Sequence, residues 1–281
     1  MPQDVSQDVK AIREWLAKEP HLPKDMGACF LDDFVIRKFL HSCYGSLERT
    51  KKCIDRFCTT RSQMSEVYTD RDPRATNIQT FLFYFTYQTK DSEILIHELF
   101  DASLDKFVFY DLLKTFCLQA DCWIKEHQSF PEGHIIILDL KCFTLRLVPR
   151  VNIMYFRDFI LFLLEGMPVR VKKIHCVNAP SYYEKLYALV KPAIPAEVCD
   201  IICFYPDFIS LHKSINKKYL PEEYGGLAPS MRKQSREWVE RICADRKTYL
   251  NDDMWKADLK LKPKNHAENA MSGSFRTLSI D

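Results

Sequence analysis

Residues 132–140, EGHIIILDL, contain a short run of β-branched and apolar residues introduced by Gly133. Such a run, without polar alternation, is typical of a strand that is buried on both faces of a sheet. An apolar helix is predicted over residues 151–166, VNIMYFRDFILFLLEG, and we expect it to end at Gly166. A further strand is predicted within residues 168–180, PVRVKKIHCVNAP. This strand–helix–strand order indicates a parallel pair of strands.

The segments on either side continue the alternation. Upstream, residues 93–99, EILIHEL, are a short strand candidate, and residues 109–127 predict an amphipathic helix. Downstream, residues 181–198 predict a helix that two prolines interrupt, and residues 199–207, CDIICFYPD, predict another strand. This order predicts an α/β sheet with right-handed crossovers. The buried stripe of the upstream helix is expected to contain Leu112, Leu113, Phe116, Cys117, Ala120, Trp123 and Ile124.

The first part of the chain has a helical pattern instead. One helix is expected from residue 5 to Pro20, and two more are expected in residues 31–43 and 46–64. Their inward-facing residues are expected to be Val5, Val9, Ile12, Leu16, Phe34, Ile36, Phe39, Leu40, Leu47, Cys53, Ile54 and Phe57. We therefore predict three parts, namely a helical domain over residues 1–75, an α/β domain over 76–245, and a C-terminal helix with a disordered tail over 246–281.

Composition limits the classes of partner. The formal net charge of +2 gives the whole chain no attraction to nucleic acid. The longest apolar runs, HIIIL and FILFLL, are far shorter than the ~20 residues that a membrane-spanning helix needs. Eleven cysteines are spread along a chain that begins with MPQDVSQDVK, which lacks the apolar stretch of a secretory signal. We therefore expect a soluble, monomeric, cytoplasmic protein with reduced thiols.

Motifs for catalysis, nucleotide binding and metal binding are missing from the sequence. Its seven glycines form neither GxGxxG nor GxxxxGK, and there is no GxSxG elbow, no CxxC pair and no HExxH. The paired carboxylates Asp32/Asp33 and Glu222/Glu223 lie where helix caps and turns favour acids. We therefore predict no enzymatic activity, no catalytic residue, no cofactor and no metal site. A structural role is expected for the scattered histidines His97, His127, His134 and His175.

The unusual feature is an excess of apolar residues around the predicted helices. An ordinary thick core explains this excess, and so does a cavity for a lipid-like molecule. Composition alone favours the ordinary core over the cavity.

Four segments, taken in order, resemble the CRAL-TRIO (Sec14-like) family. These are DDFVIRKFLHSCYGSLERTKKCID (32–55), GHIIILDLKCFTL (133–145), MPVRVKKIHCVNAPSYYEKLYALVKPAIP (167–195) and LPEEYGG (220–226). The resemblance extends over about residues 30 to 240. The chain is most similar to the branch of tocopherol transfer and retinaldehyde-binding proteins, in its insect-like form.

This resemblance implies a helical N-terminal domain, followed by a lipid-binding domain with a mixed β-sheet floor, surrounding helices and a mobile gate helix. The implied function is that of a soluble carrier. It would bind one small hydrophobic ligand, such as tocopherol, a retinoid, a carotenoid derivative or another terpenoid, and contact membranes transiently. The gate would begin near Tyr182, with a hinge at Pro192 and Pro195. The pair Gly225–Gly226 would turn the chain at the end of this domain and seat the Tyr224 ring.

The resemblance also implies which side chains face the ligand. Serines of the tocopherol transfer pattern are replaced here by Phe116 and Ala120, which makes the expected pocket drier and bulkier and tocopherol itself doubtful. Tyr155, Tyr183 and Tyr187 offer hydroxyls to a polar end of the ligand. The full set expected toward the ligand is Leu113, Phe116, Ala120, Ile136, Leu138, Val151, Tyr155, Phe159, Phe162, Leu163, Met167, Val169, Ile174, Tyr183, Leu186, Tyr187, Val190 and Ile194.

A basic cleft for phosphoinositides is only partly preserved. Arg170 and Lys172 match the basic pattern and Lys173 adds charge, but Glu197 and Ile201 occupy positions that are basic in the family. In the N-terminal helical part, two further positions that are basic in the family are His41 and Cys43 here. We therefore expect weak coupling to anionic lipid, and a solvated strand edge is an equally open explanation for Arg170 and Lys172.

Two other functions stay open. One is a regulatory adaptor that binds phospholipid or phosphoinositide without carrying it, since the same module occurs fused to signalling domains. The other is an enzyme that acts on a lipid, against which the absence of nucleophile motifs counts.

Overall fold

A computed structural model of the chain describes residues 5–24, 31–79, 81, 85–98, 107–194 and 196–263. Within these ranges, the side chains of Leu186, Leu189, Val190, Ala193 and Glu197 are also outside the described part. The expected disordered tail falls mainly on residues 264–281, and one hinge residue is Pro195, so both lie outside the described residues.

The N-terminal part is helical, as predicted. Val9, Ile12 and Leu16 are buried, whereas Val5 in the first turn is exposed. The carboxylate of Asp32 caps the second helix by accepting from the backbone N–H of Val35. The helices of this part are α1 (Val5–Lys18), α2 (Asp33–Ser42), α3 (Leu47–Gln63), α4 (Ser65–Tyr68) and α5 (Thr76–Gln79).

Two assignments in α2 differ from the sequence prediction. Val35 and Lys38 are buried, while Phe34, expected to face inward, is only half-buried. The ammonium of Lys38 lies 4.1 Å from the centre of the Trp123 ring, and this contact explains how a lysine is accommodated there.

The remainder alternates between strands and helices around a five-stranded sheet of order β1-β2-β3-β4-β5. β1 and β2 are antiparallel, and the other neighbouring pairs are parallel, so the sheet is mixed as expected. The elements are β1 (Phe85–Gln88), β2 (Ser92–Glu98), α6 (Phe109–Glu126), β3 (Gly133–Asp139), α7 (Ile153–Glu165), β4 (Val171–Val177), α8 (Tyr183–Val190), α9 (Ala196–Cys199), β5 (Ile202–Phe204), α10 (Phe208–Leu211), α11 (Met231–Ala244) and α12 (Arg246–Tyr249). Short 3₁₀ turns lie at Leu145–Arg150, Lys191–Ala193, Lys217–Tyr219 and Glu222–Tyr224.

The two faces of the sheet pack against different parts of the chain. One face, which we call the C-terminal face, buries side chains of β1–β4 against residues 205–231. Its members include Ile94, Ile96, Ile137 and Val177, all completely buried. The other face, the α6/α7 face, is turned toward the two long helices and carries the alternate residues of the same strands.

The helical N-terminal part shares one apolar core with α6 and α7. The ring of Phe162 on α7 contacts those of Phe57 on α3 and Tyr68 on α4, with centroids 6.2 and 6.1 Å apart. Arg56 on α3 forms a salt bridge with Glu165 on α7 at 2.5 Å. The N-terminal helices therefore hold α7 in place.

A buried ion-pair cluster connects the same elements. The carboxylate of Asp121 on α6 accepts hydrogen bonds from both terminal nitrogens of Arg61, at 2.7 and 2.8 Å, and from one terminal nitrogen of Arg71, at 2.6 Å. All three side chains are inaccessible to solvent. The Arg61 guanidinium also lies 4.0 Å from the centre of the Tyr68 ring. The two arginines balance the negative charge of Asp121 and hold the pKa of this carboxyl below its usual value despite burial.

Residues 251–262 cover α3. The backbone N–H of Ala257 donates to the Cys58 carbonyl, and the Lys262 ammonium donates to the Asp55 carboxylate at 2.8 Å. This contact joins the end of the described chain to the N-terminal helices.

The glycine pair forms the turn expected of it. Gly225 has a φ of +66°, and a Cβ atom on Gly226 would lie 1.9 Å from the Leu220 carbonyl oxygen. The turn places the buried Tyr224 hydroxyl 2.7 Å from Asp139 Oδ2, at the end of β3. The amide of Asn178, at the end of β4, donates to the same carboxylate. The Asp139 carboxylate thus fixes the ends of both central strands to the turn.

Candidate functional site

The α6/α7 face is continuous across four strands because their residues are paired in register. Leu95, Ile136, Ile174 and Ile202 form one row, and His97, Leu138, Cys176 and Phe204 form the next. Paired residues of neighbouring strands point to the same side of a sheet. These two rows are therefore apolar except for one imidazole and one thiol.

Three apolar residues of the two inner strands are incompletely buried on this face. Ile136 and Leu138 on β3 and Ile174 on β4 are half-buried, whereas Ile137, which lies between the first two and points to the other side, has no exposed surface. Because β3 and β4 have strands on both sides, this exposed area is not at a sheet edge. It lies on the side of the sheet that is turned toward α6 and α7.

The helix α8 lies against the outer strand at this face. The ring of Tyr183 stacks on that of Phe204, with centroids 4.7 Å apart, and the ring of Tyr187 meets Phe204 edge-on at 5.1 Å. The Tyr182 hydroxyl, just before α8, donates to the Phe143 carbonyl at 3.2 Å. Burial, together with the neighbouring Cys199 thiol, raises the pKa of Tyr187 to about 12. The 3₁₀ turn Lys191–Ala193 follows α8 directly. Two tyrosines thus attach α8 to β5.

His97 has an unusual environment for a polar ring. Its centroid is 4.9 Å from that of Phe116 on α6, and the Phe116 ring in turn lies 5.5 Å from that of Phe159 on α7. The Nε2 atom is buried and has no hydrogen-bond partner. Burial lowers the pKa of His97 to about 4, so the imidazole is neutral near pH 7. The structural role expected for His97 therefore does not account for its unpaired Nε2.

The residues expected to face the ligand fall into four groups. Buried in the core shared with the N-terminal helices are Leu113, Phe159, Phe162 and Met167. Half-buried at the edge of this core are Phe116, Ala120, Val151, Tyr155, Leu163 and Val169. On the α6/α7 face of the sheet lie Ile136, Leu138 and Ile174, and on or after α8 lie the half-buried Tyr183, Tyr187 and Ile194. The side chains of Leu186 and Val190 are outside the described residues.

The structure brings the sheet and α8 groups to one face, together with residues that were not in the set expected toward the ligand. These are Leu95, His97, Ile202 and Phe204. The sequence signal for them is their position in the predicted strands, because residues two apart in a strand point to the same face of the sheet. By contrast, Phe162 lies on the side of α7 that faces the N-terminal helices, where its ring contacts those of Phe57 and Tyr68.

The three basic residues have different environments. Arg170 donates to Glu132 at 2.9 Å and to the His41 carbonyl, and its guanidinium lies 3.9 Å from the Tyr44 ring centre. Its side chain is 8% exposed, so the solvated strand edge is wrong for Arg170. Lys172 and Lys173 are both exposed, and the register of β4 on β3 shifts at these positions. Ile201 is buried, and the Glu197 side chain is outside the described residues.

Within the described ranges, no group of three His, Cys, Asp or Glu side chains is arranged to hold a metal ion. Likewise, no helix in the described part of the chain is both long and apolar enough to cross a bilayer.

Comparison with known proteins gives two family matches. Residues 78–226 match the model described as CRAL/TRIO domain, and residues 1–78 match the model described as Pinta-like, UBA domain.

Individual relatives are distant. The chain is 22% identical over 253 residues to an "Alpha-tocopherol transfer protein-like" of Mus musculus, covering 88% of this chain and 71% of the relative. It is 24% identical over 280 residues to "Clavesin-2" of Rattus norvegicus, covering 96% and 83%. The match to the human "Alpha-tocopherol transfer protein-like" covers 65% of that protein's length at 23% identity. Among solved structures, the crystal structure of Sfh5 aligns with a TM-score of 0.48 at 14% identity, covering 88% of this chain and 99% of that one.

Proposed function

Because the chain belongs to the CRAL/TRIO domain family, whose model matches residues 78–226, we propose that it binds one small hydrophobic molecule against the α6/α7 face of its sheet and carries this molecule between membranes. The observation that carries the proposal is the half-burial of Ile136, Leu138 and Ile174 on inner strands. Apolar side chains at such positions are normally covered, and a guest molecule would cover them.

The energetics of such a complex are favourable. A guest that removes about 400 Å² of apolar surface from water gains about 10 kcal/mol at ~25 cal/mol/Å² before binding costs are subtracted. The costs of immobilising the guest, about 4 kcal/mol at the low end, leave about 6 kcal/mol, which corresponds to an affinity of roughly 40 μM.

The helix α8 is the proposed gate. Its attachment rests on Tyr183 and Tyr187, whose rings meet the single ring of Phe204. The prolines at positions 192 and 195 interrupt the helical path after α8 and would localise a hinge there. Once open, the apolar side of α8 would enter a membrane surface and let the guest exchange.

The proposed guest is a tocopherol, retinoid, carotenoid derivative or other terpenoid. Two relatives bear names that refer to α-tocopherol transfer, which supports an isoprenoid molecule. The Phe116 ring fills space between His97 and Phe159, so a slender guest fits better than one with a bulky ring system. Phosphoinositide coupling is proposed to be weak, because Arg170 is already paired with Glu132.

The proposal is tested by filling the space from the sheet side. Leu138→Trp adds a large ring on the α6/α7 face, and Met154→Trp adds the same ring at an exposed position of α7 as a control. Lipid retention is measured by native mass spectrometry after incubation with vesicles that contain a panel of terpenoid lipids.

If the space holds a guest, Leu138→Trp reduces lipid retention at least about tenfold and leaves the free energy of unfolding nearly unchanged. If the space is solidly packed instead, the added ring destabilises the fold by ~1–3 kcal/mol. A wild-type chain that retains no lipid from the panel would contradict the carrier and leave the regulatory adaptor as the better explanation.

A further inference from the structure

The α6/α7 face contains a polar atom with nothing to bond to. Nε2 of His97 is buried and has no hydrogen-bond partner. His97 is paired with Leu138 of β3 in the sheet, and its ring lies against that of Phe116. An unpaired buried polar atom is costly, and in native structures such an atom commonly marks a missing ligand or water.

The two other strand histidines, His134 and His175, each have a polar neighbour. Nδ1 of His175 lies 3.0 Å from the Tyr205 hydroxyl, on the C-terminal face. Nε2 of His134 also has no hydrogen-bond partner, but its Nδ1 accepts from the backbone N–H of Arg170 at 3.1 Å and the Glu93 carboxylate lies 3.9 Å from Nε2. His97 is set apart because the neighbours described for its ring, Phe116 on α6 and Leu138 on β3, are apolar.

We propose that His97 is the polar anchor of the lipid site and that it selects an uncharged lipid alcohol, whose hydroxyl bonds to Nε2. This inference rests on the function proposed above. A hydroxyl both donates and accepts, so it satisfies Nε2 in either tautomer of the ring. A hydrocarbon leaves the atom unpaired, and a carboxylate finds no positive charge, since burial keeps the imidazole neutral at physiological pH.

The position of His97 also sets the orientation of the guest. His97 is on β2 and Phe204 is on β5, in the same row of the face. Three strand spacings separate them, about 14 Å. The hydroxyl therefore lies at the end remote from α8, and the chain of the alcohol extends over Leu138 and Cys176 toward the proposed gate.

The test uses three lipids with the same branched carbon skeleton, namely phytol, which has one double bond, and the saturated phytane and phytanic acid. The full chain is equilibrated at pH 7.5 with phosphatidylcholine vesicles that contain equal amounts of all three, and the bound lipid is identified by native mass spectrometry. We expect phytol to be bound about tenfold more than phytane or phytanic acid.

His97→Phe retains the ring and removes both nitrogens, and His97→Leu is a second variant in case ring packing matters. In both, the preference for phytol over phytane falls below about twofold, while phytane binding persists. His175→Phe is the matched control and keeps the wild-type preference. In a long-range ¹H–¹⁵N spectrum of the imidazoles, phytol shifts the His97 Nε2 resonance and phytane does not.

The outcomes separate this inference from the function on which it rests. Lipid binding without a preference for phytol, or a preference that persists in both His97 variants, overturns the anchor and leaves the carrier standing. If the wild-type chain binds none of the three lipids, the carrier proposal fails and the anchor fails with it.

Discussion

The ring of Tyr183 stacks on the ring of Phe204 with their centroids 4.7 Å apart and their planes inclined by 26°. One turn later in α8, the Tyr187 ring meets the same phenylalanine edge-on. A single side chain of β5 therefore receives both aromatic contacts of α8 described here. β5 has only three residues and so offers α8 a short surface. The attachment of α8 to the sheet therefore depends on these ring contacts.

Replacing Phe204 by alanine removes both ring contacts, each worth about 0.5–1.5 kcal/mol beyond the area that it buries. We expect a preloaded lipid to leave Phe204→Ala about tenfold faster than wild type, as measured by stopped-flow transfer to acceptor vesicles. Phe208→Ala is the control, since the Phe208 ring contacts Tyr224 and His212 instead. Equal release rates in the two variants would contradict a gate formed by α8.

The two glycines of the turn are expected to differ in their tolerance of a methyl group. Gly225→Ala puts a β-carbon on a residue with φ of +66°, which costs about 1–2 kcal/mol. Gly226→Ala forces the chain away from the Leu220 carbonyl and should cost more than about 3 kcal/mol. Urea denaturation gives both values, and a Gly226→Ala variant as stable as Gly225→Ala would show that the turn can relax.

The carboxyl of Glu98, whose residue is paired with Asp139 in the sheet, makes the free energy of unfolding depend on pH. Burial, and then repulsion from Asp139, raise the pKa of Glu98 from 4.5 to about 7. The folded protein therefore holds this proton more tightly than the unfolded chain does, and stability falls as the pH rises from about 4.5 to about 7.

Glu98→Gln removes this dependence. Between pH 5 and pH 8 the wild type should lose about 1–2 kcal/mol more than Glu98→Gln, a figure reduced because the carboxyl is partly solvated. Urea denaturation at the two pH values measures it, with the exposed Glu237→Gln as control. Parallel pH profiles of the wild type and Glu98→Gln would refute the shift.

The buried carboxylate of Asp121 is expected to be far more sensitive than an exposed one. Asp121→Asn leaves Arg61 and Arg71 with buried, uncompensated charge and should cost about 3–5 kcal/mol of unfolding free energy. Asp72→Asn, which loses an exposed pair with Arg246, should cost less than about 1 kcal/mol. Thermal or urea denaturation of both variants measures the contrast, and similar losses would mean that the Asp121 pair is solvated in solution.

The elements with a clear period were predictable from the sequence. The apolar runs of β3 and β4 and the stripe of α6 have lengths and compositions that leave few alternatives. β1 was not predicted, because the four residues FTYQ (85–88) are too few to show a period, and they become a strand by pairing with β2. Its structure depends on a partner rather than on its own pattern.

The site was less predictable, for a physical reason. The strand that contains Phe204 was predicted, but three residues do not reveal which side faces α8. His97 was correctly placed on a strand, yet its unpaired nitrogen depends on which groups surround it in three dimensions. Asp121 lies within an apolar helical stripe, and its partners Arg61 and Arg71 are 60 and 50 positions away. Polar satisfaction of this kind is a tertiary property.

The contact of Phe162 with Phe57 and Tyr68 has a consequence for how the chain can be divided. The two family matches meet at residue 78, but the rings on either side of that position interdigitate. A fragment that starts at residue 78 would expose Phe162 and leave Asp121 without either arginine. Such a fragment should be recovered as aggregate, whereas co-expression of the two halves should restore a folded complex. The evolutionary unit and the unit of autonomous folding are therefore expected to differ in this protein.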